Sequence, residues 1–329
     1  MTEQAQVLKI INENYPMDFD TIEFVRDSGC VAYTVYSNGC KYFLRITKPM
    51  FFHTASKSLD IHLFLQKRKF AVPQIIFTKD GLPCVQVRGQ EGDYFYVLYE
   101  FLEGEEADPE QDAEKIGAFI GELHSVMKDY SGELVKNDRH YYLDRYIDIM
   151  RTKGYDKTDE FIAYGENLWK RVKELPYGYC HGDMYRGNIL KAVDGHLYIL
   201  DFDTSCEGFP MYDLALICNI TDYFDLEDDG YVKSKKVYDR LLPEYLKYSS
   251  LTKAEMEAFY DLIALYHFAL QATIIEIFGL DCVDNEFLDR QLEWLYKWQE
   301  QCEKNRGCSY YESFTRFSPQ KGSNKVISQ

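Results

Sequence analysis

The chain has 329 residues, 46% of them apolar and 28% charged, and a net charge of −17. That length suits one two-lobed enzyme or two small domains, and the apolar share excludes a disordered chain. The charge disfavours nucleic acid as a partner, because its phosphates would be repelled.

The charge is unevenly placed. Residues 1–102 are neutral, so the entire acidic excess falls in residues 103–329. Such a surface attracts a cationic substrate, and it equally well serves solubility. No uninterrupted run of about 18 apolar residues is present, so no membrane span is expected. The first residues, Met1 to Gln6, lack the basic and apolar regions of a signal peptide. Nine cysteines, scattered and without a C-x-x-C pair, argue against a disulfide scaffold or a zinc site. A reducing cytoplasm is the expected setting. Cys180 reads as an apolar strand residue and not as a nucleophile.

In chain order, residues 5–14 read as a short helix. A strand-rich stretch follows, with strands over 24–29 and 31–36. The turn Ser37-Asn38-Gly39 is a strong hairpin signal, and 41–47 is the return strand. A helix is expected over 58–69, ending before Pro73, then strands at 74–77 and 84–88. Residues 94–104 form an apolar strand that runs into an acidic glycine turn. A polar loop from Gly104 to Pro109 marks a boundary near residue 103. Beyond it the chain reads as mostly helical. Helices are expected over 111–128, 161–175, 214–223, 254–280 and 286–304, the fourth long and buried. The tail from Gly307 is rich in serine and reads as loop or frayed end.

The most informative stretch is His181-Gly182-Asp183-Met184-Tyr185-Arg186-Gly187-Asn188, followed by Asp201-Phe202-Asp203. An Asp and an Asn five residues apart, then an Asp ending an apolar strand, match a phosphoryl-transfer template. There an Asp accepts the proton of the substrate hydroxyl, and an Asn and a second Asp hold Mg²⁺ on the nucleotide phosphates. Asp183 and Asn188 must share one tight loop to face the same phosphate. The Val193-Asp194-Gly195 turn sends the chain back, so that a hairpin places Asp201 beside that loop.

These residues, with Asp213-Leu214-Ala215 after Gly208-Phe209-Pro210, resemble the aminoglycoside phosphotransferase and choline kinase superfamily. The resemblance covers roughly residues 7–305. It implies an α+β, protein-kinase-like fold in two lobes: a small antiparallel sheet lobe over 1–102 and a larger, mainly helical catalytic lobe over 103–306. Residues 307–329 would be a flexible tail. It also implies ATP and Mg²⁺ as cofactors, with GTP left open. Asp183 would be the catalytic base, and Asn188 and Asp201 would hold the metal and nucleotide. Asp203 would reach a second Mg²⁺ or cap a turn. Arg45, in Tyr42-Phe43-Leu44-Arg45, would grip the phosphates, with Lys41 as the fallback. Gly29 is the glycine available where the first hairpin would cover the phosphates. Glu100, Phe101 and Leu102 would line the nucleotide base as the hinge. His181 would hold the loop by hydrogen bonds. Arg186 would meet the substrate or pair with a carboxylate. Asp213 would brace the loop, cap its helix, or both. His124 reads as a hydrogen-bonding core residue.

One feature departs from the kinase pattern. The helix after the Arg45 strand carries no Glu, and Asp60 is its only carboxylate. The acceptor is expected to be a small-molecule hydroxyl compound, with amines among the candidates. The cluster Asp222, Asp225, Glu227, Asp228 and Asp229 is a candidate cation-binding rim or simply a solvated acidic loop. A protein Ser/Thr kinase and a nucleotide-binding regulatory protein are the alternatives. The short span from Asp201 to Asp213 argues against the first, and the intact motif residues against the second.

Overall fold

The computed structural model describes residues 3–28 and 30–306. The chain begins with α1 (Glu3–Asn14), β1 (Thr21–Ser28), β2 (Cys30–Ser37) and β3 (Cys40–Thr47). A 3-10 turn at Pro49–Phe51 leads into α2 (Phe52–Lys67). Then come β4 (Ile75–Ile76), β5 (Val85–Arg88), β6 (Asp93–Glu100), β7 (Gly104–Glu106), α3 (Pro109–Met127) and β8 (Val135–Lys136). A π-helical turn at His140–Asp144 opens α4 (Arg145–Lys153), which is followed by α5 (Thr158–Val172) and β9 (Gly178–Cys180). The hairpin β10 (Ile189–Ala192) and β11 (Leu197–Ile199) precedes β12 (Cys206–Gly208). Helices α6 (Pro210–Cys218), α7 (Gly230–Tyr245), α8 (Lys253–Glu257), α9 (Phe259–Phe278) and α10 (Asn285–Arg306) complete the order.

Two compact units divide these elements. The first takes the described residues up to Asp138, then Leu175–Asn219 and Lys235–Phe259. The second takes Arg139–Glu174, Ile220–Ser234 and the described residues from Tyr260 on.

In the first unit the main sheet has the order β1-β2-β3-β6-β4, with β5 also on β6, and all its pairings are antiparallel. The β2–β3 turn is tight because Asn38 and Gly39 both take positive φ, 51° and 79°, the handedness that a two-residue hairpin needs. The strand period of two sorts side chains onto two faces. Leu44, Ile46, Tyr96 and Leu98 join Val7 and Ile11 of α1 in one core. Phe95 and Val97 join Ala55 and Leu59 of α2 on the other face. Arg45 pairs in register with Val97 and lies between Leu44 and Ile46 in sequence. It therefore belongs to the α2 face, which is what brings it to the site. Two smaller sheets, β11-β10-β7 and β8-β12-β9, frame the loop that follows β9.

The second unit is built on aromatic packing. Tyr146, Phe161 and Phe268 meet edge to face with centroids 5.5–5.9 Å apart. Leu288, Leu292, Leu295 and Trp298 of α10 are buried. Arg171 and Asp261 form an ion pair at 2.9 Å, with Asp261 buried.

Several expected elements have different bounds. The helix expected over 58–69 begins at Phe52, because Pro49 starts a 3-10 turn that continues directly into it. It ends at Lys67, with Lys69 in the left-handed region at φ 60°. The helix expected over 214–223 starts earlier, at Pro210 in its first turn, and stops at Cys218 where Asn219 turns extended. The long helix expected over 254–280 is two. Thr252 and Glu255 form a capping box that starts α8, and α9 begins anew at Phe259. Helix α9 is long and apolar enough, by length and composition, to cross a membrane, although Asp261, His267, Gln271 and Glu276 interrupt its apolar residues. Within that stretch 61% is buried inside the protein, as in a core helix. Helices α4 and α7 were not expected. The proposed tail, residues 307–329, lies outside the described residues.

Candidate active site

The loop after β9 is shaped by a 3-10 turn at Arg186–Asn188. The Asn188 N–H donates to Tyr185 O at 3.0 Å, which folds the chain back under Asp183. The Asn188 amide nitrogen then donates to Asp183 O at 2.8 Å and to Asp183 Oδ2 at 3.0 Å. The five-residue spacing thus brings the two side chains into contact. Leu200 N donates to Asn188 O at 2.9 Å, and Ile189 pairs with Ile199 across the hairpin. Asp201 therefore emerges from β11 next to the loop. Its φ is 56°, a left-handed conformation that non-glycine residues seldom adopt.

Asp213 fastens the loop from below. It is fully buried, and its Oδ2 accepts from the His181 N–H at 2.7 Å and its Oδ1 from the Gly182 N–H at 3.0 Å. His124 Nε2 donates to the same Oδ2 at 2.9 Å, and His124 Nδ1 meets the Tyr245 hydroxyl at 2.9 Å. The N-cap of α6 is Phe209, so Asp213 makes bracing hydrogen bonds from inside the helix and does not cap it. Gly182 has φ 82°, and a Cβ there would lie 2.3 Å from Thr204 O. His181 Nε2 donates to Leu200 O at 2.9 Å, a second tie between the loop and the hairpin.

Arg45 reaches the same place from β3. Its guanidinium pairs with Asp203 and lies 3.5 Å from Asp201 Oδ1. Burial works against its charge, but Asp201 and Asp203 outweigh burial and raise its pKa. Asp60 is exposed and is not its partner. Lys41 turns instead to Glu103, at 2.9 Å, over the Phe101 ring. Burial pushes the Asp183 carboxyl up, while His181 and the Asn188 hydrogen bond pull it down.

A cavity of about 230 Å³ opens beside these groups. Glu100, Phe101 and Leu102 line it, together with Arg45 and Asp201. Leu190 and Leu200, flanking the motif residues, supply apolar walls, with Phe43 and Tyr99. From α2 come Ser58 and His62, which sequence reasoning missed, as it missed Arg26. The signal for Leu190 and Leu200 was present in the alternating hairpin strands. Arg186 pairs with Glu106 at 2.8 Å, the second of its two expected fates. Gly29 lies outside the described residues.

The donor set suits Mg²⁺. The Asn188 nitrogen is committed to Asp183, which leaves its amide oxygen for a cation. Asp201 adds a carboxylate, and Asp203 Oδ1 is buried without a partner among the described residues. No group of three or more His, Cys, Asp or Glu there could hold a metal alone. Mg²⁺ needs no such group, since it takes one or two carboxylates and completes its shell with phosphate oxygens and water.

The acidic cluster is largely engaged within its own unit. Glu227 and Asp229 pair with Lys233, and Asp228 pairs with Lys297 at 3.0 Å. Asp222 Oδ1 accepts from the N–H groups of Phe224 and Asp225.

Comparison with known proteins bears on the family and the fold. The model of the Phosphotransferase enzyme family matches residues 27–251, more than half of the chain. A homoserine kinase of Bartonella henselae is 25% identical over 206 residues, 59% of this chain and 60% of that protein. The match thus spans about three fifths of that relative's length. Among solved structures, a microcompartment-associated aminopropanol kinase superposes with a TM-score of 0.72, at 17% identity, over 92% of this chain and 98% of that one. The amicoumacin kinase hAmiN, solved in complex with AMP-PNP, Ca²⁺ and Ami, gives 0.71 at 17% identity, over 91% and 94%. The fold is α+β and protein-kinase-like, and the chain belongs to the phosphotransferase enzyme family.

Proposed function

We propose that this protein is a small-molecule kinase that moves the γ-phosphate of ATP to a hydroxyl of a small, nitrogen-bearing acceptor. The contact of Asp183 with Asn188 at 3.0 Å, with Asp201 on the adjoining hairpin, carries the reading. Asp183 would orient the acceptor hydroxyl and take up its proton as the new O–P bond forms. Asn188 and Asp201 would hold Mg²⁺, which supplies charge neutralisation on the phosphates. Arg45 would fix phosphate oxygens with its planar fork. The cavity beside Glu100, Phe101 and Leu102 would take the base. Positioning and preorganised charge would then account for most of the rate enhancement.

The acceptor class rests on two supports. Homoserine and aminopropanol, named for two of the kinases compared above, each join a hydroxyl to a nitrogen. The acidic excess beyond residue 102 would also favour a cation. Nine scattered cysteines without a C-x-x-C pair are the ground for proposing a reducing, cytoplasmic setting. The test is nucleotide turnover with Mg²⁺ against homoserine, aminopropanol, choline, ethanolamine, aminoglycosides and simple sugars, with ATP and GTP in parallel. Stimulation by one of the amines is the expected result. Stimulation by sugars alone would overturn the acceptor class and leave the kinase.

A further inference from the structure

In protein kinases the phosphate-gripping cation on the third strand is held by a Glu from the following helix. Helix α2 offers no such group. It has no Glu, and Asp60 is exposed. The α2 residues lining the cavity are Ser58 and His62. His62 is committed elsewhere, since its Nε2 donates to Pro73 O at 2.6 Å and its ring packs against Tyr99 and Phe202. Yet Arg45 is not left alone. Its guanidinium is mostly buried and pairs with Asp203, on the turn just past the hairpin. Asp201, at 3.5 Å, is the more distant of its two carboxylates.

We propose that Asp203 is the positioning residue for Arg45, supplying from the Asp201-Phe202-Asp203 turn the counter-charge that α2 lacks. The proposal rests on the kinase reading and departs from the expectation that Asp203 holds a second metal ion. It follows from elementary accounting of charge. A buried guanidinium needs a close anion, and an ion pair that loses one member leaves the other buried and uncompensated. Asp201 cannot serve both purposes once it ligates Mg²⁺, because its charge is then shared with the cation. Asp203 is the carboxylate left over. The same pair ties β3 to the turn that carries Asp201, so the phosphate grip and the metal ligand would be set by one short bridge. The orientation of Arg45 would then be insensitive to α2, unlike a cation held by a helix Glu.

The test separates this role from metal binding. Affinity for the non-hydrolysable AMP-PNP is measured without turnover, once with Mg²⁺ and once with chelator. The proteins are the unaltered one, Asp203→Asn, Asp203→Glu, Arg45→Gln and the Arg45→Gln/Asp203→Asn double variant, each checked for folding by circular dichroism. Asp203→Asn is expected to weaken binding roughly 10- to 100-fold, in chelator as well as in Mg²⁺. Asp203→Glu should retain most of the affinity. The double variant should bind no worse than Arg45→Gln alone, because both changes remove one interaction. Additive losses, or a loss seen only with Mg²⁺, would overturn the proposal and make Asp203 an independent or metal-binding group. Unchanged affinity in Asp203→Asn, with normal binding by the unaltered protein, would overturn it as well. No nucleotide binding by the unaltered protein would overturn the kinase reading and this proposal with it.

Discussion

Asp201 holds a left-handed backbone at φ 56°, which costs a non-glycine residue about 1–3 kcal/mol. The hydrogen bond from Leu200 N to Asn188 O and the β10–β11 pairing fix the chain on one side of it. Its own Oδ1 lies 3.4 Å from the Asp203 N–H on the other. The strained residue carries a carboxylate whose charge is felt at Asp183 of the neighbouring loop. Asp201→Ala is therefore expected to raise the Mg²⁺ concentration for half-maximal turnover by roughly tenfold or more. Titration of turnover against Mg²⁺ checks this, and an unchanged midpoint would remove Asp201 from the proposed metal site. At this scale the motif residues were legible, because Asp183, Asn188 and Asp201 are close in sequence and one turn and one hairpin bring them together. The partner of Arg45 was not legible. Arg45 and Asp203 are 158 positions apart, and nothing local in either segment announces the other.

The loop from His181 to Asn188 is held at the level of elements. Asp213 on α6 takes two backbone N–H groups from it and one N–H from His124 on α3. Gly182 is part of this bracing, and a Cβ there would lie 2.3 Å from Thr204 O. Gly182→Ala would meet both an unfavourable φ and a backbone clash, and is expected to cost roughly 1–3 kcal/mol with a marked loss of turnover. Gly39 makes the control. Its φ is 79°, but a side chain there would meet nothing within 4 Å. Thermal melts and turnover of the two alanine variants should show Gly39→Ala losing a little stability and no activity. Equal loss of activity in both would mean that the close approach at Gly182 is not functional. The main sheet and its hairpin turn were readable from alternation and Asn-Gly. Helices α4 and α7 were missed although Tyr146, Ile147 and Met150, following Leu143 of the preceding turn, and Val237, Tyr238, Leu241 and Tyr245, recur near helical spacing and are buried. The charged residues between them, and Pro243 inside α7, masked the pattern.

At the scale of the whole molecule, two buried histidines set an acid limit on stability. Burial pushes His62 down to about 4 and His267 down to about 3, from an ordinary 6.5. Each is therefore neutral in the folded chain where the unfolded chain already binds a proton. Stability is full above the ordinary value and falls as pH drops below it, by about 2 kcal/mol for each histidine at pH 5. Acidic self-repulsion relaxes in the same direction, but most carboxylates titrate below that range. Thermal melts from pH 7 to pH 5 should show a falling midpoint. His267→Phe, which keeps a ring against Trp294, should flatten that fall. A midpoint that rises towards pH 5 would contradict this.

Asp183, the proposed base of a phosphoryl-transfer site, is expected to serve an architecture that does not depend on it. The most direct test compares the unaltered protein with Asp183→Asn, measuring nucleotide affinity and acceptor-stimulated turnover on the same preparations. Nucleotide binding is expected to be unchanged and thermal stability to hold within about 1 kcal/mol, with turnover lower by roughly 10²- to 10⁴-fold. Near-normal turnover in Asp183→Asn would contradict it.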